Sequence, residues 1–245
     1  MIPRGKSNNS IDRDKWADYH GRYTATLEKL YYGENNGWCQ DEYGNSYLQL
    51  NSGAEMKIPL FKPFEKDLTR QDPNDPSVGS GMTIELDFSI EGITDYDADL
   101  IKCVSMAQGL NTPVVGFSIT GNKIKFYSAN SSTTNKPLTT ITFVEGKRIR
   151  LSFVVEPNDE LDNSGYFPMC YTYLNGILSN ATMYAKGDAF VDSVYSPARF
   201  EVDATTASIK IYGIRFYKTA LSDKQILDNY TASLPTLEER QNRQA

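Results

Sequence analysis

Apolar and polar residues alternate along much of this chain with the two-residue period of a half-buried strand. The longest example is Met82 to Ile90. Ile84, Leu86, Phe88 and Ile90 point one way, and Thr83, Glu85, Asp87 and Ser89 the other. One face of such a strand is core and the opposite face polar, as in an antiparallel sandwich. Arg148 to Glu156 repeats the pattern with Ile149, Leu151, Phe153 and Val155, and Pro157 ends it because proline cannot donate to a ladder. Thr24 to Leu30, Tyr47 to Leu50, Ala54 to Ile58, Leu100 to Met106, Val114 to Ile119 and Lys123 to Tyr127 read as further strands. So do Thr139 to Val144, Arg199 to Val202 and Ser208 to Tyr217, the last kinked at Gly213. Thr120 to Asn122 is a hairpin loop. Tyr171 to Leu178 is a second hairpin around Asn175 and Gly176, the pair that best suits a type I′ turn.

Helical signals are few. Ser222 suits an N-cap, Gln225 completes a capping box, and Leu221 and Ile226 stand where a hydrophobic staple would place them. Ile226, Leu227 and Tyr230 form the apolar stripe, and the helix should stop near Ser233 ahead of Pro235. A short helix carrying Trp16 and Tyr19 is also expected over Asp12 to His20. Asp67 to Gly81 is a long polar loop rather than a domain boundary. Many short strands, frequent turns and one helix predict an all-β fold, a two-sheet antiparallel jelly-roll sandwich with one short C-terminal helix. Residues 1–22 would be an N-terminal lead-in, 23–233 the sandwich and 234–245 a polar linker or tail.

The order of these signals resembles the laminin-G-like jelly roll of the concanavalin A-like lectin/glucanase superfamily. Gly213 to Tyr230 is similar to that family's closing strand and helix, Tyr173 to Leu178 to its Asn-Gly hairpin, and Met82 to Ile90 to its early core strand. The matching elements run from about Leu48 to Tyr230. Trp38 to Leu50, Ile58 to Phe64 and Thr94 to Ala98 also resemble modules of tailed-bacteriophage virion proteins of the tail, neck and fibre. The resemblance implies a non-catalytic adhesion or structural module of a larger virion protein. Its surface would contact a host-surface glycan or a neighbouring virion or cell-surface protein, with oligomerisation possible through the parent assembly. A protein-only structural or decoration subunit is the alternative from another class. The expected location is the virion, with the bacterial cell surface or secretion as alternatives.

Composition narrows the partners. The chain has 25 Lys plus Arg against 31 Asp plus Glu, a net charge of −6, so it lacks the basic footprint of nucleic-acid binding and would be repelled by anionic lipid. No nucleic acid and no membrane are expected as partners. Cys39, Cys103 and Cys170 match neither a zinc spacing nor a disulfide framework and read as reduced thiols. Met1 to Ser10 is polar, so no secretory leader is expected there. Both features suit assembly in a cytosol.

Candidate chemistry is sparse. The glucanase branch sets two glutamates and an aspartate along one strand, and retaining hydrolysis needs two carboxyl groups about 5 Å apart. Glu85 and Asp87 share a face, but Ser89 and Ile90 occupy the position of the second glutamate. Glu91 comes one residue late and is expected on the other face. With this motif broken, no catalytic residue is expected and the chain reads as no enzyme, a glycoside hydrolase being the remaining alternative. The only histidine, His20, has no evident nucleophile partner. Asp95, Asp97 and Asp99 have the spacing of a calcium loop but lack its glycine and twelfth-position glutamate, so they stand as candidate calcium ligands and no cofactor is required. Trp38, Tyr43, Tyr127, Tyr166 and Tyr184 are candidate sugar platforms, none distinguished enough to be a named site.

Overall fold

The computed structural model describes residues 1–3, 5–51, 53–61, 81–106, 113–127, 139–156, 161–162, 165–166, 169–183 and 198–234. Two antiparallel sheets pack face to face. The first has eight strands in the order β1 (Lys15–Ala17), β2 (Thr24–Glu28), β5 (Glu55–Phe61), β16 (Ala198–Asp203), β7 (Asp99–Met106), β8 (Pro113–Thr120), β9 (Lys123–Tyr127) and β10 (Thr139–Thr142). The second has seven, in the order β15 (Ile177–Met183), β14 (Met169–Leu174), β11 (Ile149–Glu156), β6 (Met82–Glu91), β17 (Ser208–Tyr217), β4 (Ser46–Leu50) and β3 (Gly37–Gln40). A small ladder joins β12 (Leu161–Asp162) to β13 (Gly165–Tyr166). Hairpin neighbours such as β7, β8 and β9 alternate with pairs distant in sequence, such as β5 with β16 and β6 with β17, so the chain crosses repeatedly between the two layers.

The alternation read from the sequence carries this architecture. Ile84, Leu86, Phe88 and Ile90 on β6 and Ile149, Leu151, Phe153 and Val155 on β11 all enter the inter-sheet core. Phe153 stacks on Phe126 of β9 at 6.2 Å with an interplanar angle of 5°, and meets Phe117 of β8 at 6.1 Å. These rings join the two sheets near the middle of the sandwich. The hairpins form as expected: Asn175 and Gly176 both have positive φ, 53° and 77°, and leave Leu174 paired with Ile177.

The helix expected over Asp12 to His20 does not form. Lys15–Ala17 is instead β1, with an exposed–buried–exposed pattern that puts Trp16 in the core, edge-on to Trp38 at 5.7 Å. Pairing with β2 satisfies backbone groups that a short amphipathic turn would have left open. Strand β1 thus brings part of residues 1–22, expected as a lead-in, into the eight-stranded sheet. Met1 also pairs through its backbone with Ile214, beyond the end of β4. Of the expected loop Asp67 to Gly81, only Gly81 falls within the described residues, and the expected tail is described only at Leu234.

Helix α1 (Asp223–Ala232) ends the described chain. Ser222 caps it in a complete capping box with Gln225, and Ser233 closes it. Ile226 is fully buried with Leu221, Val154 and Tyr173, so the helix lies on the outer face of the seven-stranded sheet. Gly176 gives it room. A side chain there would press against Leu227 and Tyr230 at 3.1 Å.

Candidate functional site

Polar residues on that outer face lie beside α1 rather than in open water. Odd-numbered positions of β6 point outward, yet Glu85 is 1% and Asp87 4% exposed. Even-numbered positions of β11 face the same way and supply Arg150 and Ser152, with Arg148 just ahead of the strand. Strand β17 contributes Tyr212, Arg215 and Tyr217 across a bulge between Ile211 and Gly213.

These side chains form two linked networks. Arg148 grips Asp87 with a fork, Nε donating to Oδ1 at 2.8 Å and Nη2 to Oδ2 at 2.7 Å. Arg150 shares the same carboxylate, Nη2 donating to Oδ2 at 3.1 Å, while its Nη1 donates to the Asn229 carbonyl of α1 at 2.6 Å. Burial works against the Arg148 charge, but the Asp87 bonds outweigh it and raise its pKa. Its guanidinium lies over the Tyr212 ring, 3.9 Å from the centroid. In the second network Glu85 accepts from Tyr217 Oη at 3.0 Å, Asn229 Nδ2 at 3.3 Å and Ser152 Oγ at 3.4 Å. Arg215 stands 3.6 Å from the same carboxylate. Burial, with the Glu85 charge beside it, pushes the Tyr217 phenol up to about 12; burial does the same for Tyr212 against the pull of Arg148.

Above this floor opens a cleft of about 460 Å³. Gly44, Asn45 and Ser46 wall it on one side, Asn229 and Ala232 to Leu234 on the other, with Ile2 at the rim and Asp87, Arg148, Arg150, Tyr212 and Arg215 beneath. A smaller recess of about 160 Å³ continues beneath Ser233 and Leu234 toward Asn175. The arrangement offers guanidinium donors, amides and hydroxyls in a half-open space. That is equipment for binding a polar ligand.

The residues considered from sequence are distributed differently. Glu85 and Asp87 do lie together, but as buried partners of arginine. Glu91 is on their face, contrary to expectation: β6 runs without a bulge, so every second residue from Glu85 to Glu91 points the same way. It sits exposed at the strand end, 3.3 Å from Lys210. Asp95 accepts from the Asp97 amide at 2.9 Å within its own turn, whereas Asp99 pairs with Lys102 at 2.8 Å and accepts from Thr120 at 2.6 Å. Among the described residues no group of three His, Cys, Asp or Glu side chains is close enough to hold a metal ion. His20 is exposed, edge-on to Tyr19 at 5.3 Å. Trp38 and Tyr127 are buried, Tyr43 is half-buried, Tyr166 sits in β13, and Tyr184 lies outside the described residues. No disulfide joins Cys39, Cys103 and Cys170.

Arg148, Arg150, Arg215 and Tyr212 were not among the sequence candidates. A usable signal existed. Arginines at alternating positions of a strand whose other face is core must lie on the outer face, beside whichever carboxylates the neighbouring strand presents.

No protein-family model and no curated protein matches the chain. Among solved structures it is similar to a Trypanosoma rangeli sialidase in complex with 2,3-difluorosialic acid, with a TM-score of 0.53 and 10% identity over 97% of this chain and 33% of that one. It is also similar to a mutant of that sialidase displaying trans-sialidase activity, with a TM-score of 0.52 and 10% identity over 89% of this chain and 31% of that one. A third is the receptor binding domain of botulinum neurotoxin mosaic serotype C/D, at 0.50 and 12% over 91% of this chain and 52% of that one. The chain therefore spans a third to a half of these longer chains. At such identities the likeness defines a fold class alone: a two-sheet, antiparallel, jelly-roll-like β-sandwich.

Proposed function

We propose that this sandwich is a non-catalytic glycan-binding module of a larger assembly, and that the cleft over β6, β11 and β17 takes the saccharide. The observation that carries the reading is the half-open polar cleft, floored by arginines that buried carboxylates hold in place. Fixed donors of this kind suit the hydroxyls and substituents of a sugar, because little side-chain freedom is lost on binding. The fold supports the reading too, since it is shared with a sialidase solved with a sialic acid derivative and with a receptor-binding domain.

A binding rather than catalytic role is supported by the state of the carboxylates. A glycosidase needs one acid and one base or nucleophile facing the scissile bond. Glu85 and Asp87 are both buried, and both are occupied by arginine or hydrogen-bond partners. The parent assembly is proposed to be a tailed-phage virion, on the resemblance of Trp38 to Leu50, Ile58 to Phe64 and Thr94 to Ala98 to such modules.

The test is binding of the purified chain to an array of bacterial surface and host glycans, in calcium and then in EDTA. Specific binding that survives EDTA is expected. A folded sample that binds no glycan in either buffer would overturn this reading and favour a protein-only assembly module. Loss in EDTA alone would move attention to Asp95, Asp97 and Asp99.

A further inference from the structure

The charge balance of the cleft differs from that of the whole molecule. The chain carries a net −6, yet the cleft and its floor set Arg148, Arg150 and Arg215 against only Asp87 and Glu85. Asp87 is divided between Arg148 and Arg150, so one carboxylate answers two guanidiniums. Asp41, in the turn leading to the Gly44 wall, is the other acid nearby. Its carboxylate braces that turn, accepting from the amides of Tyr43 and Asn45 and from the Asn45 side chain; its charge still acts on Arg148, but from outside the cleft lining.

Donor capacity is also left over. A guanidinium has five N–H groups. Arg148 places two of its nitrogens on Asp87, and among the described residues Arg215 makes a 3.6 Å ion pair to Glu85, too long for a hydrogen bond. Both side chains are about a quarter exposed, at 25% and 29%, and both line the cleft. Beneath them Arg150 is 2% exposed, and its Nε has no hydrogen-bond partner among the described residues. A cation buried so deeply raises the potential at the cleft floor, where low dielectric weakens screening. Stacking on Tyr212 and the fork to Asp87 hold the Arg148 plane still, which favours planar, two-point recognition.

We infer that the ligand of this cleft is an acidic saccharide, its oxyanion substituent held by Arg148 and Arg215 above the buried Arg150. The inference rests on the glycan-binding reading and specifies the class of sugar. Carboxylate, sulfate and phosphate substituents share the chemistry that these donors recognise.

Titration of the chain with paired probes separates the cases: glucuronate-containing oligosaccharide, its methyl ester, a sulfated oligosaccharide, and inorganic sulfate. The acidic sugars should bind at least ten-fold more tightly than the ester, and the carboxylated and sulfated arms identify the preferred group. Arg148→Gln and Arg215→Gln, compared at a temperature where each is folded, should each weaken the acidic sugar about ten-fold or more while leaving the affinity for the methyl ester near that of the parent chain. The acid-to-ester ratio is the readout because both arginines also partner buried carboxylates. Arg199→Gln, at an exposed position of the other sheet, should change nothing. Equal binding of acid and ester, insensitive to both arginine substitutions, would overturn the inference and leave the glycan reading standing. Binding of inorganic sulfate, lost in the arginine variants, with no saccharide bound would keep the anion site and overturn the glycan reading. No binding of any probe would overturn both.

Discussion

Asp87 shows how much one side chain organises here. It is the common acceptor for Arg148 and Arg150, and through Arg150 it reaches the Asn229 carbonyl of α1. Removing one member of a buried ionic cluster leaves uncompensated charge, a loss of about 3–5 kcal/mol. Asp87→Asn is therefore expected to destabilise the fold by roughly 3 kcal/mol in urea titrations. The two shielded phenols make a second prediction. Tyr212 and Tyr217 are held up to about 12, above the ordinary tyrosine value of 10.0, first because they are buried. A pKa raised on folding means that the folded state holds its proton more tightly than the unfolded state. The stability this contributes is complete below pH 10 and is lost as pH rises toward 12. Stability measured across that window should fall, and Tyr217→Phe should fall less steeply.

At the scale of elements, α1 determines the cleft. Without it, the outer face of the seven-stranded sheet would be a wet polar surface; with it, Glu85 and Arg150 are enclosed and Ser233 and Leu234 become a wall. The helix is short, so its cap and its packing carry most of its stability. Ser222→Ala removes the capping box and should cost about 1 kcal/mol. Ligand affinity should fall with it, because Asn229 to Leu234 move with the helix; calorimetry alongside thermal melts would separate the two effects. This element was legible in the sequence. Ser222, Gln225, Leu221 and Ile226 are a local code, and each does what its spacing implies. Residues Asp12 to His20 were not legible, because a few polar residues around Trp16 suit a turn of helix as well as an edge strand. Pairing with β2 and the pocket beside Trp38 decided between them.

For the whole molecule, cohesion comes from rings that cross between the sheets. Phe153 touches Phe117 and Phe126 of the opposite layer and is fully buried. Phe153→Ala should cost about 3–5 kcal/mol in equilibrium unfolding, against a much smaller loss for any exposed outer-face substitution. The same layering explains why the candidate site was only half visible. Glu85 and Asp87 drew notice through their spacing, but Arg148, Arg150 and Arg215 come from strands about 60 to 130 residues away from them in the chain.

The alternation of the strands, the Asn175–Gly176 turn and the capped helix are local properties, and the sequence alone determined them. Backbone periodicity, positive φ and capping need only near neighbours. Which strands lie side by side, which face α1 covers, and which cations meet which carboxylates are set by packing between distant segments. Only the tertiary structure decided that the polar face of β6 would be buried and roofed by a cleft, because that burial depends on a helix more than 130 residues farther along the chain.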